Sequence, residues 1–253
     1  MRGINHVVLY VSDLARSLDF YEQVLGFERL PGGFPGGAFL RHAGSANDHD
    51  LGLFESRGAA VPAPGSVGLY HVAWEVATLA ELSAAQQSLA AAGALTGAGD
   101  HGSTKALYGR DPDGIEFEVC WLVPDEHIEE ALRDASMTAP LDLAAEVERY
   151  GAVIEASRSA SSMCSSGTSQ HTSNSIPSGS RPYSALVDPD GIEFEMCWLV
   201  PDEQVAEALR GAAMTAPLDL AAEIERYGAQ TPGGPRTDPE IWARIAAQRA
   251  PQR

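Results

Sequence analysis

Two histidines and one glutamate are the residues of this chain whose types and positions best suit metal chemistry. His6 and His71 each open an apolar run that alternates like a β-strand, and Glu118 lies in a third such run, residues 115–121. Alternation places Glu118 opposite the aromatic and aliphatic side chains of its strand, where a carboxylate needs a partner. Two imidazoles and one carboxylate would leave open positions on a divalent metal, which suits Fe(II) and dioxygen. Glu116, on the same face, is the rival carboxylate.

The elements that must position these residues follow one pattern twice, at an offset of 65 residues. Each histidine-led strand precedes a helix that ends at a glycine; the first helix begins after Ser12 or Asp13, either of which can cap it. In the second helix, Thr78 and Glu81 form a capping box. Three short strand candidates separated by turn residues follow each helix. The pattern predicts two βαβββ modules, whose pseudosymmetry would bring both histidines to one surface with Glu118.

The predicted modules, at about residues 3–60 and 68–124, make up one α+β domain over residues 1–124. A second and much closer repeat overlaps its end: residues 111–152 recur at 188–229 with 7 differences in 42 positions. This similarity indicates a tandem duplication of the last strand together with the helices that follow it.

Three segments outside the domain have distinct compositions. Residues 125–152 form a helical tail, whose many acidic side chains we expect to be a solvated surface or a packing arm, with Thr138 capping a helix that begins at Pro140. Residues 153–187 contain 12 serines in 35 positions and almost no apolar periodicity, so we expect a flexible linker. Residues 230–253 are the C-terminal tail.

The duplicated strand carries a second candidate ligand, Glu195, which corresponds to Glu118. In principle this strand can replace the first copy in the same sheet. Ala185, however, stands where the first copy has Tyr108. Bringing the second strand into the first sheet would also close the long serine-rich linker into a loop, at a cost in conformational entropy that no additional contact offsets. We therefore expect the first copy to form the site.

Composition restricts the partners and the compartment. The formal net charge of −18 opposes binding to nucleic acid or to anionic lipid, because both need a basic surface. The 44% hydrophobic content supports a buried core, and no apolar run is long enough to cross a bilayer. The N-terminus lacks the pattern of a signal peptide, so we expect a cytoplasmic protein with reduced cysteines and a small-molecule ligand.

Five short motifs, in order along the first half of the chain, resemble the vicinal oxygen chelate superfamily. They are Asn5-His6-Val-Val-Leu-Tyr-Val-Ser-Asp13, Leu18-Asp-Phe-Tyr21, Leu25-Gly-Phe27, Gly68-Leu-Tyr-His-Val-Ala-Trp-Glu75 and Asp111-Pro-Asp-Gly-Ile-Glu-Phe-Glu118. The resemblance implies that the paired modules form a cupped mixed β-sheet half-barrel. It also implies that His6, His71 and Glu118 are the metal ligands.

Two branches of this superfamily make different demands on the last strand of the first module. Enzymes similar to glyoxalase I take a fourth ligand, Glu or Gln, from that strand, and Gly52 stands at the corresponding position here. A register shift of three residues would be needed to bring Glu55 there, and an odd shift reverses the strand face. The missing ligand favours the extradiol catechol dioxygenases, which use two histidines and one glutamate.

Three further residues match the extradiol pattern. His49, in a His-Asp-x-x-Leu sequence, resembles the histidine that serves as acid and base in these enzymes. Tyr108 resembles the tyrosine that hydrogen-bonds the bound catecholate, and His101, in a His-Gly sequence, resembles a histidine that contacts the substrate. From the residues alone, His49 is equally well an exposed loop histidine and Tyr108 a strand aromatic.

The resemblance therefore implies an Fe(II)-dependent extradiol-type dioxygenase, with Mn(II) as the alternative metal, acting on a small aromatic diol and O2. Two alternatives share the fold: a glyoxalase-like metal-dependent isomerase or lyase, and a resistance protein that binds a drug without turnover. Family resemblance further implies a homodimer, for which the second-copy strand 192–199 is the candidate edge.

Overall fold

The computed structural model divides the chain into two compact units. Unit 1 comprises residues 1–62, 111–114 and 196–253, and unit 2 comprises residues 63–110 and 115–195. The residues that the structure describes are 4–58, 60, 66–133, 138–151, 186–187, 189–190, 192–194, 197, 200–201, 204 and 220–228. The predicted linker except 186–187, much of the duplicated segment and the 230–253 tail lie outside the described residues.

Residues 7–55 of unit 1 form a mixed four-stranded sheet and the helix that packs on it. Its elements are β1 (Val7–Val11), α1 (Leu14–Gln23), β2 (Phe27–Arg29), β3 (Gly37–His42) and β4 (Leu51–Glu55). The strand order is β1-β4-β3-β2, with β1 and β4 parallel and the other neighbours antiparallel. This is a complete βαβββ module.

Unit 2 repeats the same topology. Its module consists of β5 (Val72–Glu75), α2 (Leu79–Ala91), β6 (Leu95–Asp100), β7 (Thr104–Arg110) and β8 (Glu116–Leu122), in the order β5-β8-β7-β6 with β5 and β8 parallel. The predicted α+β class and the paired βαβββ modules are confirmed. Both histidine-led strands begin one residue later than expected, so that His6 and His71 immediately precede β1 and β5.

Short elements follow the second module. A 3-10 helix (Asp125–His127) leads into α3 (Ile128–Arg133) and α4 (Leu143–Tyr150). A two-stranded antiparallel pair joins β9 (Leu186–Val187), the last two residues of the predicted flexible linker, to β10 (Glu193–Phe194) in the duplicated segment. Residues 186–187 are therefore a strand and not linker. The duplicated segment also contains the helix α5 (Leu220–Tyr227). No helix in the described ranges is both long and apolar enough to cross a membrane.

Each sheet buries one face against its helix because its residues alternate. In β8, Phe117, Val119 and Trp121 are at most 3% exposed, whereas Glu116 and Glu118 on the other face are only partly buried. The helix α2 packs its leucine stripe, which includes fully buried Leu82, on the sheet of unit 2. The strand alternation therefore directs acidic side chains away from the core.

The first helix is capped by one of its two candidate residues. The Asp13 side chain accepts from the backbone N–H of Arg16 over 3.0 Å, so Asp13 is the N-cap. Ser12 is occupied elsewhere: its backbone N–H donates to Asp113 over 2.9 Å, and its hydroxyl also donates to that carboxylate. Asp113 belongs to the turn Asp111–Gly114, which is part of unit 1.

The helical tail belongs to unit 2, where α4 packs against α2 instead of forming only a solvated surface. Leu143, Glu146 and Tyr150 of α4 are buried. The N-cap of α4 is Asp142, which accepts from the N–H of Ala145 over 3.1 Å. The expectation that Thr138 caps a helix beginning at Pro140 is therefore wrong, because the chain becomes helical only three residues after that proline.

We expect Leu82→Ala to lower the free energy of unfolding by about 2–5 kcal/mol, because it leaves a cavity in a fully buried site. The matched control is Leu132→Ala in α3, where the leucine is 52% exposed and the change should stay within about 0.5 kcal/mol. Denaturant unfolding followed by far-UV circular dichroism measures both. Equal effects of the two substitutions would contradict the packing of α2.

Candidate metal centre

The parallel pairing of β5 with β8 brings His71 and Glu118 together in unit 2. Ala73 lies directly opposite Glu118 in the register. His71 is two residues before Ala73 and therefore on the same face of the sheet. Nε2 of His71 lies 3.3 Å from Oε2 of Glu118, and the two side chains are 29% and 12% exposed.

This distance suits two ligands of one metal ion. Imidazole nitrogen and carboxylate oxygen bind divalent ions at roughly 2.0–2.2 Å, so two such atoms at right angles around the ion are about 3 Å apart. An imidazole and a carboxylate are also donors that Fe(II) and Mn(II) accept. The pair therefore fits the metal that the resemblance implies.

The rival carboxylate is engaged in another contact. Glu116 Oε1 lies 2.6 Å from Nη2 of Arg110, its neighbour on strand β7. The Cys120 thiol, also on this face, is buried, and burial followed by the charges of Glu118 and Glu75 raises its pKa to about 12. A protonated thiol is a poor metal ligand. Glu118 is therefore the carboxylate best placed beside His71.

Tyr108 and His101 lie next to this pair. Tyr108 is directly opposite Glu118 in the β7–β8 register, and its ring centroid is 6.4 Å from that of His71. The Tyr108 hydroxyl oxygen lies 2.6 Å from Nε2 of His101. Burial, then the negative charge of Glu118, raises the pKa of Tyr108, so the phenol keeps its proton at neutral pH. The structure thus brings four of the predicted site residues together within unit 2.

Unit 1 holds the other two predicted residues side by side. The ring centroids of His6 and His49 are 4.2 Å apart, and His49 also contacts the ring of Phe39 at 4.7 Å. His49 is half-buried, so it is not the fully exposed loop histidine of the alternative interpretation. The next residue, Asp50, organises the loop by accepting from Ser45 Oγ at 2.7 Å.

Asn5 is a residue that the sequence analysis did not single out. Its amide oxygen lies 2.8 Å from Nδ1 of His6. An amide oxygen only accepts, so Nδ1–H of His6 is the donor in this contact. Hydrogen bonds of this kind orient the histidine ligands of metal sites. In the sequence, this role was indicated by the position of Asn5 directly before His6.

The last strand of unit 1 contributes no carboxylate where a fourth ligand would stand. Gly52 pairs with Val8 of β1, and a Cβ atom on Gly52 would come within 3.2 Å of the Val8 side chain. Glu55, three residues later, forms an ion pair with Arg57 over 2.8 Å. At the position that the resemblance assigns to a fourth ligand, this strand therefore has no carboxylate.

Within the part of the chain that the structure describes, no group of three or more His, Cys, Asp or Glu side chains is arranged to hold a metal ion. His71 and Glu118 belong to unit 2, whereas His6 belongs to unit 1. Two of the three predicted ligands are thus in contact, and the participation of His6 stays a prediction.

The duplicated cysteines provide a test of this environment in the metal-free protein. Cys120 is buried, and Cys197, its counterpart in the second copy, is exposed. With a pKa of about 12, the Cys120 thiol has almost no thiolate at pH 8. We expect iodoacetamide to label Cys197 and to spare Cys120 until the protein is denatured, as measured by peptide mass spectrometry. Equal native labelling of both residues would contradict the burial of Cys120.

Comparisons with known proteins extend the sequence resemblance. A family described as the Glyoxalase/Bleomycin resistance protein/Dioxygenase superfamily matches residues 3–119. A virulence protein of Salmonella typhimurium is 31% identical over 122 residues, which cover 47% of this chain and 84% of that protein. Catechol-2,3-dioxygenase of Bacillus subtilis is 35% identical over 120 residues, 46% of this chain, but the match spans only 40% of that enzyme.

Among solved structures, a glyoxylase/bleomycin resistance protein/dioxygenase domain from Frankia is similar at 25% identity and a TM-score of 0.43. That match covers 51% of this chain and 98% of the Frankia domain. The family match and the similarity to the Salmonella typhimurium virulence protein, of which 84% is covered, show the family membership. This chain belongs to the glyoxalase/bleomycin resistance protein/dioxygenase superfamily.

Proposed function

We propose that this protein is an Fe(II)-dependent extradiol-type dioxygenase that cleaves a catechol-like aromatic ring with O2. His6, His71 and Glu118 would hold the metal, with Mn(II) as the alternative ion. The observation that carries the proposal is the contact of His71 with Glu118 beside Tyr108. Similarity to a catechol dioxygenase over part of its length supports the same reaction class.

The absence of a carboxylate at Gly52 supports this reaction over an isomerase of the glyoxalase type. A ligand set of two histidines and one carboxylate leaves room for both diol oxygens and for dioxygen. When bound, Fe(II) would supply a Lewis acid for the diol and an electron donor for O2.

The side chains of the chain would orient the substrate and move its protons. Tyr108 would donate its phenolic hydrogen to a substrate oxygen, since its raised pKa keeps the group protonated at neutral pH. His101 would hold Tyr108 in place through the 2.6 Å contact and would line the substrate position. His49 would accept and return protons, a role that suits a histidine near neutrality.

Metal content tests the ligand assignment. After anaerobic loading with Fe(II) and removal of excess metal, we expect about one ion per wild-type chain, and almost none in His71→Ala or Glu118→Ala. Glu116→Ala is the matched control on the same strand face, and Glu195→Ala is the control in the duplicated strand; both should retain the wild-type content. Retention of metal by Glu118→Ala, or its loss in Glu116→Ala, would refute the assignment.

Turnover tests the reaction class. We expect the Fe(II)-loaded protein to consume O2 when catechol is added and to form a yellow ring-opened product, followed with an oxygen electrode and by visible absorbance. His49→Ala should lower kcat by about 10²–10⁴-fold, the usual contribution of an acid or base. Metal-dependent loss of a hemithioacetal without O2 uptake would instead establish an isomerase. Tight aromatic binding without bound metal or turnover would identify a binding protein.

A further inference from the structure

The side chain of Thr138 connects the helical tail with the candidate site. Its Oγ1 lies 3.3 Å from Nδ1 of His101, whose Nε2 is the nitrogen that contacts Tyr108. The neighbouring backbone is fixed, because Asp100 and Ala139 exchange two hydrogen bonds of 2.8 and 2.9 Å. A side chain, an imidazole and a phenol therefore form a continuous chain of polar contacts from the tail into the sheet of unit 2.

A buried lysine holds the tail in this position. Lys105 is 1% exposed, and its Nζ lies 2.6 Å from Asp100 and 3.1 Å from Glu146 of α4. Asp100 directly precedes His101 in the chain. These three residues, here called the lysine clamp, connect α4 to the hairpin that carries His101. A buried charge needs such partners, so Lys105 attaches α4 to this hairpin.

The tautomer of the His101 ring sets the direction of the hydrogen bonds along this chain of contacts. With the proton on Nε2 of His101, the phenolic hydrogen of Tyr108 is not used in the 2.6 Å contact between the two residues. The Tyr108 oxygen is then available to accept from Nε2–H of His101. A His101 ring that donates from Nε2 accepts at Nδ1, and the hydroxyl of Thr138, 3.3 Å from that nitrogen, can serve as a donor to it.

We propose that Thr138 is a positioning residue, which keeps the proton of His101 on Nε2 and thereby leaves the Tyr108 hydrogen for the substrate. The lysine clamp holds Thr138 at this distance. The catalytic consequence rests on the proposed function, because it requires Tyr108 to donate to a substrate oxygen. The protonation pattern of His101 does not depend on it. The helical tail thus contributes a positioning residue to the candidate site.

The test compares Thr138→Val, which has a similar shape and no hydroxyl, with Thr138→Ser, which keeps the donor. In the metal-free protein, the ¹⁵N shifts of the two His101 ring nitrogens report which one carries the proton, with the signal assigned by its loss in His101→Asn. We expect Nε2–H in the wild type and in Thr138→Ser, and a shift towards Nδ1–H in Thr138→Val. The kcat for catechol should fall roughly fivefold in Thr138→Val and recover in Thr138→Ser.

A second pair of variants tests the lysine clamp. Glu146→Gln removes the charge that faces Lys105 and should shift the His101 signal in the same direction as Thr138→Val. Glu148→Gln, on the exposed side of α4, should leave the His101 signal unchanged.

The outcomes separate this inference from the proposed function. A wild-type His101 pattern in Thr138→Val, or Nδ1–H in the wild type, overturns the inference even if catechol is cleaved. If the wild type lacks dioxygenase turnover, the proposed function fails, and the ¹⁵N pattern alone still decides the role of Thr138.

Discussion

The contact between His71 and Glu118 is the interaction on which the functional account depends, and the pairing of β5 with β8 creates it. Parallel register brings the two side chains to one face of the sheet, 3.3 Å apart. A slip of one residue in β8 would turn Glu118 into the core and expose Phe117 and Val119, so the hydrophobic face enforces the functional register. The packing of α2 on the buried face is therefore part of what places the carboxylate.

The two units use one topology to present different surfaces. In unit 1 the sheet face away from α1 bears aromatic side chains, with Phe39 opposite Gly52 and Phe54 in contact with Tyr10. In unit 2 the corresponding face bears Glu118 and the other polar residues of the candidate centre. The two βαβββ modules thus share the alternation that builds a core, while their outward positions carry different side chains.

The modules could be predicted from sequence because their signals are local. Alternation, helical periodicity and glycine turns each act within a few residues, and the observed strands follow them closely. The choice between Ser12 and Asp13 as the helix cap could not be predicted, because a distant carboxylate, Asp113, binds Ser12. The burial of Glu146 could not be predicted either, because the tail has many acidic residues. Glu146 is the one whose carboxylate lies 3.1 Å from the buried Lys105, and this pairing depends on the tertiary fold.

Strand periodicity and the family motifs allowed the sequence to indicate part of the candidate site. His71, Glu118, Tyr108 and His101 meet in unit 2, as alternation and register require. Thr138 could not be assigned, since its contact with His101 depends on the backbone bridge between the tail and β6. A residue outside the motifs reaches the site only through tertiary packing, which a single sequence does not reveal.

The most direct measurement is anomalous diffraction at the iron edge from crystals loaded with Fe(II) under anaerobic conditions. The account predicts one peak per chain, about 2.0–2.2 Å from an imidazole nitrogen of both His6 and His71 and from a carboxylate oxygen of Glu118. A peak coordinated by other residues, or fully loaded crystals in which His6 makes no bond to the ion, would contradict it.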